Sequence, residues 1–156
     1  MKSKPPKPLQ STTVWGIVTL VLLALPVLAH RLFPIAQVIP ATYGYWGLPF
    51  IVVGAVLLAW AMVLFKRHGT TVNPVRDPSV LVVAGPYGFS RNPMYLGFLL
   101  VLTGMAILLG SVVAFLFPLF FFILAQWVLI PYEEAILEYS CVEKYPEYRR
   151  DVRRWL

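Results

Sequence analysis

Charged side chains are scarce in this sequence and are absent from the middle of its long apolar blocks. Asp, Glu, Lys and Arg make up 13% of the residues and hydrophobic residues 59%, whereas soluble domains usually carry about 25% charged and about 45–50% apolar residues. The composition therefore predicts a membrane protein. A pump, a charged channel or a proton relay usually needs an ionisable residue within the membrane, so the same absence argues against transport.

Cysteine and histidine are nearly lacking as well. The single Cys141 excludes an internal disulfide and a cysteine-based zinc site, and with no base beside it we expect the thiol to pack rather than to act as a nucleophile. His30 and His68 have no third ligand, so we predict no metal. The net charge of +6 does not predict nucleic-acid binding, because the basic residues lie at the ends of apolar blocks, where lipid headgroups attract them.

Four apolar blocks dominate the chain. They run over roughly 14–29, 43–65, 93–109 and 112–130, lengths close to what a helix needs to cross a bilayer. Pro26 is expected to kink the last turn of the first block, and Gly110-Ser111 allows a tight reversal between the last two. The prediction is an all-α fold, a polytopic membrane helical bundle of about four transmembrane helices with a C-terminal cytoplasmic helix.

The distribution of Lys and Arg predicts the orientation of this bundle. Basic residues precede the first block, lie between the second and third, and follow the fourth, whereas the other two loops contribute only Arg31. Loops rich in Lys and Arg stay in the cytoplasm, so we expect both termini and the middle loop to face it, in an inner or plasma membrane. Residues 1–12 then form a cytoplasmic tail, retained because no A-x-A cleavage site follows, and residues 13–65 hold the first two transmembrane helices.

Small residues recur at seven-residue spacing in the second and third blocks. They are Gly47, Gly54 and Ala61, and Gly97, Gly104 and Ser111. Such stripes let two helix backbones approach closely in a membrane. Helix packing is therefore the favoured interpretation, and a groove for a lipid tail is the alternative.

Polar chemistry is concentrated in two segments, 85–95 and 132–155. The tight reversal between the last two blocks makes the start of the third and the end of the fourth neighbours, so the two segments should meet. Asn92-Pro93 is a good helix start, with Asn as the cap, and the positive end of that helix can hold a carboxylate or a phosphate. The alternative is that Asn92 only caps the helix.

Two adjacent acids, Glu133 and Glu134, open the second polar segment. Neighbouring residues of a helix point in different directions, so these acids do not form a side-by-side catalytic pair. One could bind a cation or ribose hydroxyls while the other pairs with an arginine. The alternative is a solvated helix start, where acids are favoured by the helix dipole.

Both polar segments carry a recognisable pattern. Residues 85–97 read Gly-Pro-Tyr-Gly-Phe-Ser-Arg-Asn-Pro-Met-Tyr-Leu-Gly, which resembles the signature G-P-Y-R-x-x-R-(H/N)-P-x-Y-x-G. The later residues are Glu133-Glu134, Leu137, Tyr145, Tyr148, Val152 and Arg154-Trp155. Over 70–156 the chain is similar to the superfamily of isoprenylcysteine carboxyl methyltransferases and phospholipid methyltransferases. Two departures are Gly88 in place of a basic residue and Cys141-Val142 in place of Phe-Gly, and we expect the second to extend the helix.

The resemblance implies an enzyme that binds S-adenosyl-L-methionine in region 66–156, between the cytoplasmic ends of the last helices and the C-terminal segment. The catalytic residues it implies are Arg91, Asn92 and Glu134. The cofactor-binding residues it implies are Tyr87, Asn92, Pro93, Tyr95, Gly97, Glu133, Glu134 and Arg154. No G-x-G-x-x-G turn is present, so a Rossmann methyltransferase is not indicated.

The reaction implied is methyl transfer to a lipid-like or amphiphilic acceptor: an isoprenylcysteine carboxylate, a phospholipid amine or a small thiol. The alternatives are a non-catalytic membrane protein that binds a lipid or a partner, and a nicotinamide-dependent reductase. An apolar acceptor should enter from the bilayer near the cytoplasmic ends of the helices. We expect Met94, Phe98, Gln126 and Trp127 at the rim of that opening.

Overall fold

The computed structural model describes residues 12–33, 36–67 and 81–156 of the chain. Apart from an isolated bridge between Gln37 and Ser111, the regular structure of these residues is helical, as predicted. His68 and most of the predicted tail 1–12 lie outside the described residues, as does the centre of the middle loop.

The helices follow the apolar blocks closely. They are α1 (Thr12–Leu32), the short α2 (Ala41–Gly44), α3 (Gly47–Arg67), a 3₁₀ turn (Gly85–Gly88), α4 (Pro93–Leu109), α5 (Val112–Leu124), a π-helical segment (Ala125–Leu129), α6 (Ile130–Ser140) and α7 (Tyr145–Asp151). The bounds of α4 are those predicted. Helix α1 contains Pro26 and continues past the predicted block to Leu32.

Two described stretches are long and apolar enough to cross a membrane. They are Ala41–Leu64, with 24 residues and a mean hydropathy of 2.4, and Val112–Ser140, with 29 residues and a mean hydropathy of 2.5. The apolar helices Thr19–Leu32 and Pro93–Leu109 are shorter. At 1.5 Å per residue, the 17 residues of α4 cover about 25 Å, slightly less than a hydrocarbon core of roughly 30 Å. The count of four spanning helices therefore stays a prediction.

Glycines at seven-residue spacing bring α3 and α4 into backbone contact. A Cβ atom added to Gly54 would lie 2.5 Å from the carbonyl oxygen of Gly97, and one added to Gly104 would lie 2.5 Å from that of Gly47. No side chain fits at such distances. This backbone contact confirms the packing interpretation for the four glycines of the two stripes, whereas Ser111 lies beyond α4.

The reversal between α4 and α5 also has its predicted form. Gly110 adopts a left-handed conformation at φ 68°, which costs glycine little, and Ser111 caps α5 by accepting a hydrogen bond from the amide of Ala114 at 3.4 Å. The connection after α1 seals this end of the bundle, because the amide of Val38 donates to the carbonyl of Gly110 at 2.8 Å. Helix α4 therefore runs antiparallel to α5.

The fourth apolar block does not end at residue 130 as predicted. The helix continues from Val112 through the π-helical segment to Ser140. Pro131 cannot donate a backbone hydrogen bond and would normally disturb the preceding turn; here the wider π turn lies directly before it and accommodates this loss. As a result Glu133 and Glu134 are part of a rigid helix that begins in the apolar bundle.

The chain leaves this helix after Ser140. Cys141 has φ −122° and ψ 50°, outside the helical region, so the expected extension of the helix by Cys141-Val142 is wrong. The following turn lets α7 and the last residues fold back onto the start of α4, where the amide of Arg91 donates to the carbonyl of Arg153 at 3.0 Å.

Candidate active site

The two polar segments meet at the start of α4, as the short hairpin predicted. At the 3₁₀ turn, the hydroxyl of Tyr148 donates a hydrogen bond to the backbone carbonyl of Tyr87 at 2.8 Å. The amide nitrogen of the Asn92 side chain donates to the carbonyl of Arg154 at 2.9 Å. Residues of the loop before α4, of α6 and of the C-terminal segment thus form one cluster.

Glu134 holds the centre of this cluster. Its carboxylate accepts from Arg91 at 3.0 Å and from Arg154 at 2.7 Å, and 10% of its side chain is exposed. The side chain of Arg91 is as deeply buried as that of Glu134, while 29% of Arg154 is exposed. One carboxylate therefore pairs with two guanidinium groups.

Glu133 points away from the arginines. Its carboxylate accepts a hydrogen bond from the hydroxyl of Tyr95 at 2.6 Å, and Tyr95 lies in the first turn of α4. The two adjacent acids therefore contact different partners, as predicted for neighbours on a helix, and an arginine pairs with one of them. The interpretation of these acids as a merely solvated helix start does not hold for the buried Glu134.

Asn92 does not cap α4 with its side chain, contrary to the prediction. No cap hydrogen bond forms, because the side-chain amide is used to hold the C-terminal segment. Ser90 takes a supporting role that the sequence interpretation missed: it is fully buried, and its hydroxyl accepts from the backbone amide of Asn92 at 3.1 Å. A serine three residues before the helix-starting proline was the available signal.

The remaining predicted site residues fall in two places. Tyr87 and Pro93 are buried beside the cluster, where burial, and then the nearby Glu133, raises the pKa of Tyr87 so that its phenol stays protonated. Gly97 instead lies against α3, where a Cβ atom would be 2.9 Å from the carbonyl oxygen of Gly54. Helix packing explains this glycine, and its role in cofactor binding stays a prediction.

The C-terminal segment is anchored at a further point that the sequence did not predict. The indole nitrogen of Trp155 donates to the side-chain oxygen of Gln126 at 2.8 Å, and its ring lies 5.3 Å from that of Phe122. Gln126 belongs to the π-helical segment. An amide within an otherwise apolar helix was the signal for such a contact.

The expected rim of the bilayer opening is only partly exposed. Phe98 packs against Phe121 with ring centroids 4.8 Å apart, Met94 packs against a cluster that includes Tyr87, and Gln126 is occupied by Trp155. Trp127 is 65% exposed. Among these four residues Trp127 alone is mostly exposed, and the bilayer opening itself stays a prediction.

Two buried polar atoms of the cluster have no hydrogen-bond partner among the described residues. They are Nε of Arg91 and the hydroxyl of Tyr145. Tyr145 also lines an open groove between α6 and α7, together with Glu138, Tyr139, Val142, Pro146 and Arg149. Unpaired buried donors are rare in native structures, and each calls for an explanation.

Metal chemistry has no support in this part of the chain. Within the ranges that the structure describes, no three His, Cys, Asp or Glu side chains are grouped so that they could hold a metal ion. Burial raises the pKa of the Cys141 thiol, against a smaller opposing effect of Lys144, which disfavours the nucleophilic thiolate.

The fold and the site together define a membrane-embedded protein with a polar, ion-paired centre at the ends of apolar helices. The sequence profile of the phospholipid methyltransferase family matches residues 43–141. Two relatives, both named probable protein-S-isoprenylcysteine O-methyltransferase and found in Oryza sativa subsp. indica and subsp. japonica, are 32% identical over 131 residues, covering 78% of this chain and 67% of each relative. No solved structure matches the chain.

The chain belongs to the phospholipid methyltransferase family. It is an integral membrane methyltransferase, which confirms the superfamily that its two motifs resemble and sets aside a non-catalytic binding protein and a reductase. The matched range 43–141 includes the loop before α4 and the acids of α6. Tyr145, Arg154 and Trp155 follow that range, and the structure joins them to it.

Proposed function

We propose that this methyltransferase transfers the methyl group of S-adenosyl-L-methionine to the carboxylate of an isoprenylcysteine-like acceptor at the cytoplasmic face of the membrane. The observation that carries the proposal is the cluster at the start of α4, where Tyr95 contacts Glu133 and two arginines contact Glu134. In this proposal Arg91, Asn92 and Glu134 form the reaction centre. The cofactor is held by Tyr87, Asn92, Pro93, Tyr95, Glu133, Glu134 and Arg154.

The chemistry of these side chains fits the cofactor. The carboxylate of Glu133 suits an ammonium group or ribose hydroxyls, and the faces of Tyr87 and Tyr95 suit a sulfonium cation or an adenine ring. The unpaired Nε of Arg91 and hydroxyl of Tyr145 are donors suited to a carboxylate. When bound, the cofactor supplies an electrophilic methyl group, and the protein contributes mainly by aligning the acceptor with it.

The proposed acceptor follows from charge and from proton balance. A carboxylate reacts without a general base, whereas an amine or a thiol must first lose a proton. The two arginines that contact Glu134 suit a carboxylate acceptor. The names of the two rice relatives point to the same class of acceptor.

The membrane setting supports an acceptor with an apolar tail. The continuous helix Val112–Ser140 covers about 43 Å at 1.5 Å per residue, so it extends beyond a hydrocarbon core and carries its acids toward the headgroups. The exposed Trp127 lies on the same helix between the apolar part and the acids. We infer that an acceptor keeps its tail in the bilayer near Trp127 while its polar end reaches the cluster.

The test uses the full chain in lipid nanodiscs. We expect it to bind S-adenosylhomocysteine and not NADPH in calorimetry, and to transfer labelled methyl from S-adenosylmethionine to N-acetyl-S-farnesylcysteine as a base-labile ester. Failure to bind S-adenosylhomocysteine would overturn the proposed cofactor. Base-stable label in phosphatidylethanolamine, with none in farnesylcysteine, would replace the carboxylate acceptor with a phospholipid amine.

A further inference from the structure

Tyr145 is buried in a position that its hydroxyl group does not explain. The residue is 1% exposed, and its hydroxyl has no hydrogen-bond partner among the described residues. A buried hydroxyl left unpaired destabilises the folded protein, and phenylalanine would fill the same space without that cost. A tyrosine at this position therefore indicates a partner that the described residues do not supply.

Arg91 has the same property at one of its nitrogens. Its two terminal nitrogens are engaged, one with the carbonyl of Arg149 at 3.1 Å and the other with Glu134 at 3.0 Å. Its Nε is buried and unpaired among the described residues. The guanidinium group is thus held at both terminal nitrogens, and the N–H of its Nε stays unpaired among the described residues.

The two unpaired donors belong to one electrostatic neighbourhood. Burial, and then the charge of Glu134, raises the pKa of Tyr145 to about 12, against the opposing effect of Arg91 and Arg149. The phenol is therefore a hydrogen-bond donor at neutral pH. Both glutamates of this neighbourhood, 134 and 138, are already paired with arginines, so the two unpaired donors suit an acceptor that is supplied by a bound anion.

Tyr145 connects this neighbourhood to the outside. Its ring lines the open groove between α6 and α7, and the wall of that groove carries the ion pair of Glu138 with Arg149. Half of the Arg149 side chain is exposed, so the groove is accessible to water-soluble molecules. Arg91 is linked to the same helix, α7, because one of its terminal nitrogens donates to the carbonyl of Arg149 at 3.1 Å.

We propose that the Tyr145 hydroxyl and Arg91 Nε together form a carboxylate-binding subsite at the base of the groove between α6 and α7. The inference rests on the proposed function, in which a carboxylate occurs on two molecules, the amino-acid end of the cofactor and the isoprenylcysteine acceptor. One carboxylate has oxygens enough to accept from both donors. In this scheme Tyr145 is a binding residue, and the subsite binds a ligand through its carboxylate.

The test compares ligand pairs that differ in the carboxylate. The cofactor pair is S-adenosylhomocysteine and its decarboxylated analogue, which keeps the ammonium group, and the acceptor pair is N-acetyl-S-farnesylcysteine and its methyl ester. In Tyr145→Phe we expect the preference for the carboxylate-bearing member of one pair to fall by about tenfold to a hundredfold, as for the loss of a hydrogen bond to a charged group. A fall in the cofactor pair assigns the subsite to the methyl donor, and a fall in the acceptor pair assigns it to the acceptor.

Tyr148→Phe is the matched control, because the hydroxyl of Tyr148 is buried and donates to the carbonyl of Tyr87 at 2.8 Å. The two variants should behave oppositely. Without ligand, Tyr145→Phe should unfold at the same temperature as the parent or a higher one, whereas Tyr148→Phe should unfold at a lower temperature. Tyr148→Phe should keep the parent's preference for the carboxylate-bearing member of each ligand pair.

Two results would count against the subsite. An unchanged preference in both pairs, or an equal loss of affinity for all four ligands, in Tyr145→Phe would overturn it while leaving the proposed function intact. A parent protein that binds none of the four ligands would overturn the proposed function, and the subsite with it.

Discussion

At the scale of single residues, the two adjacent acids of α6 differ in the partners they hold. Glu133 accepts one hydrogen bond from a neutral phenol, that of Tyr95, whereas Glu134 neutralises Arg91 and Arg154. The first acid can lose its charge without leaving a buried cation unpaired. The second cannot. Their substitution by glutamine should therefore have different consequences, although the residues are neighbours in the chain.

Glu133→Gln is expected to weaken binding of S-adenosylhomocysteine by about tenfold to a hundredfold, because a hydrogen bond to a charged group is typically worth about 1.5–3 kcal/mol. The thermal unfolding of the ligand-free protein should stay close to that of the parent, since the amide can still accept from Tyr95. Calorimetry and a melting curve measure the two quantities. Parental affinity in this variant would show that Glu133 does not touch the cofactor.

Glu134→Gln is expected to destabilise the protein itself, by about 3 kcal/mol, because removing one partner of a buried ion pair leaves a charge without compensation. The matched control is Asp151→Asn, which removes an exposed pair with Arg150 and should cost about 1 kcal/mol or less. Equal melting temperatures in the two variants would contradict a structural role for Glu134.

At the scale of helices, α3 and α4 are held by backbone contact. Gly54→Ala places a Cβ atom 2.5 Å from the carbonyl oxygen of Gly97, and a backbone oxygen cannot move aside as a side chain can. We expect a loss of about 1–3 kcal/mol, the usual cost of overpacking, measured by unfolding in mild detergent. Gly88→Ala is the control, because its nearest contact is 3.7 Å away. If Gly54→Ala had the same free energy of unfolding as the parent, the backbone contact between α3 and α4 would be contradicted.

The π-helical segment and the C-terminal segment form a second contact between elements. Trp155→Phe keeps a ring beside Phe122 but removes the donor to Gln126, leaving the amide of Gln126 unpaired in an apolar helix. We expect faster release of the last two residues by trypsin, whose cleavage after Arg154 requires local opening, followed by mass spectrometry. Trp127→Phe, at a residue that is 65% exposed, should leave cleavage unchanged. Equal cleavage of both variants would contradict the anchor.

At the scale of the whole molecule, orientation is the property on which access to the site depends. In a Cys141→Ser background, a cysteine at Ser3 should resist an impermeant reagent added from outside, and cysteines at Gln37 and Val38 should react with it. A cysteine at Gly110 is not suitable for this labelling, because the left-handed backbone of Gly110 is packed against Ile39. A permeant reagent labels all three positions and serves as the control. External labelling at Ser3 would place the site on the opposite face of the membrane.

The sequence by itself determined the class of the protein and much of its helical framework. Too few charges for a soluble surface predict membrane helices, Asn92-Pro93 and Gly110 mark the ends of α4, and glycines seven residues apart predict backbone packing. The paired acids and the motif before α4 indicate the family. These features depend on local chemistry or on helical periodicity, so the amino-acid sequence alone is sufficient to predict them.

Only the tertiary structure decided which polar groups pair. Arginines 91, 149, 150, 153 and 154 were all available to the acids in the sequence, and the fold brings 91 and 154 to Glu134. The use of the Asn92 amide for the C-terminal segment, and the unpaired hydroxyl of Tyr145, also depend on chain segments separated by many residues. A hydrogen bond requires atoms about 3 Å apart, and that distance is set by how the helices pack and where α7 folds back.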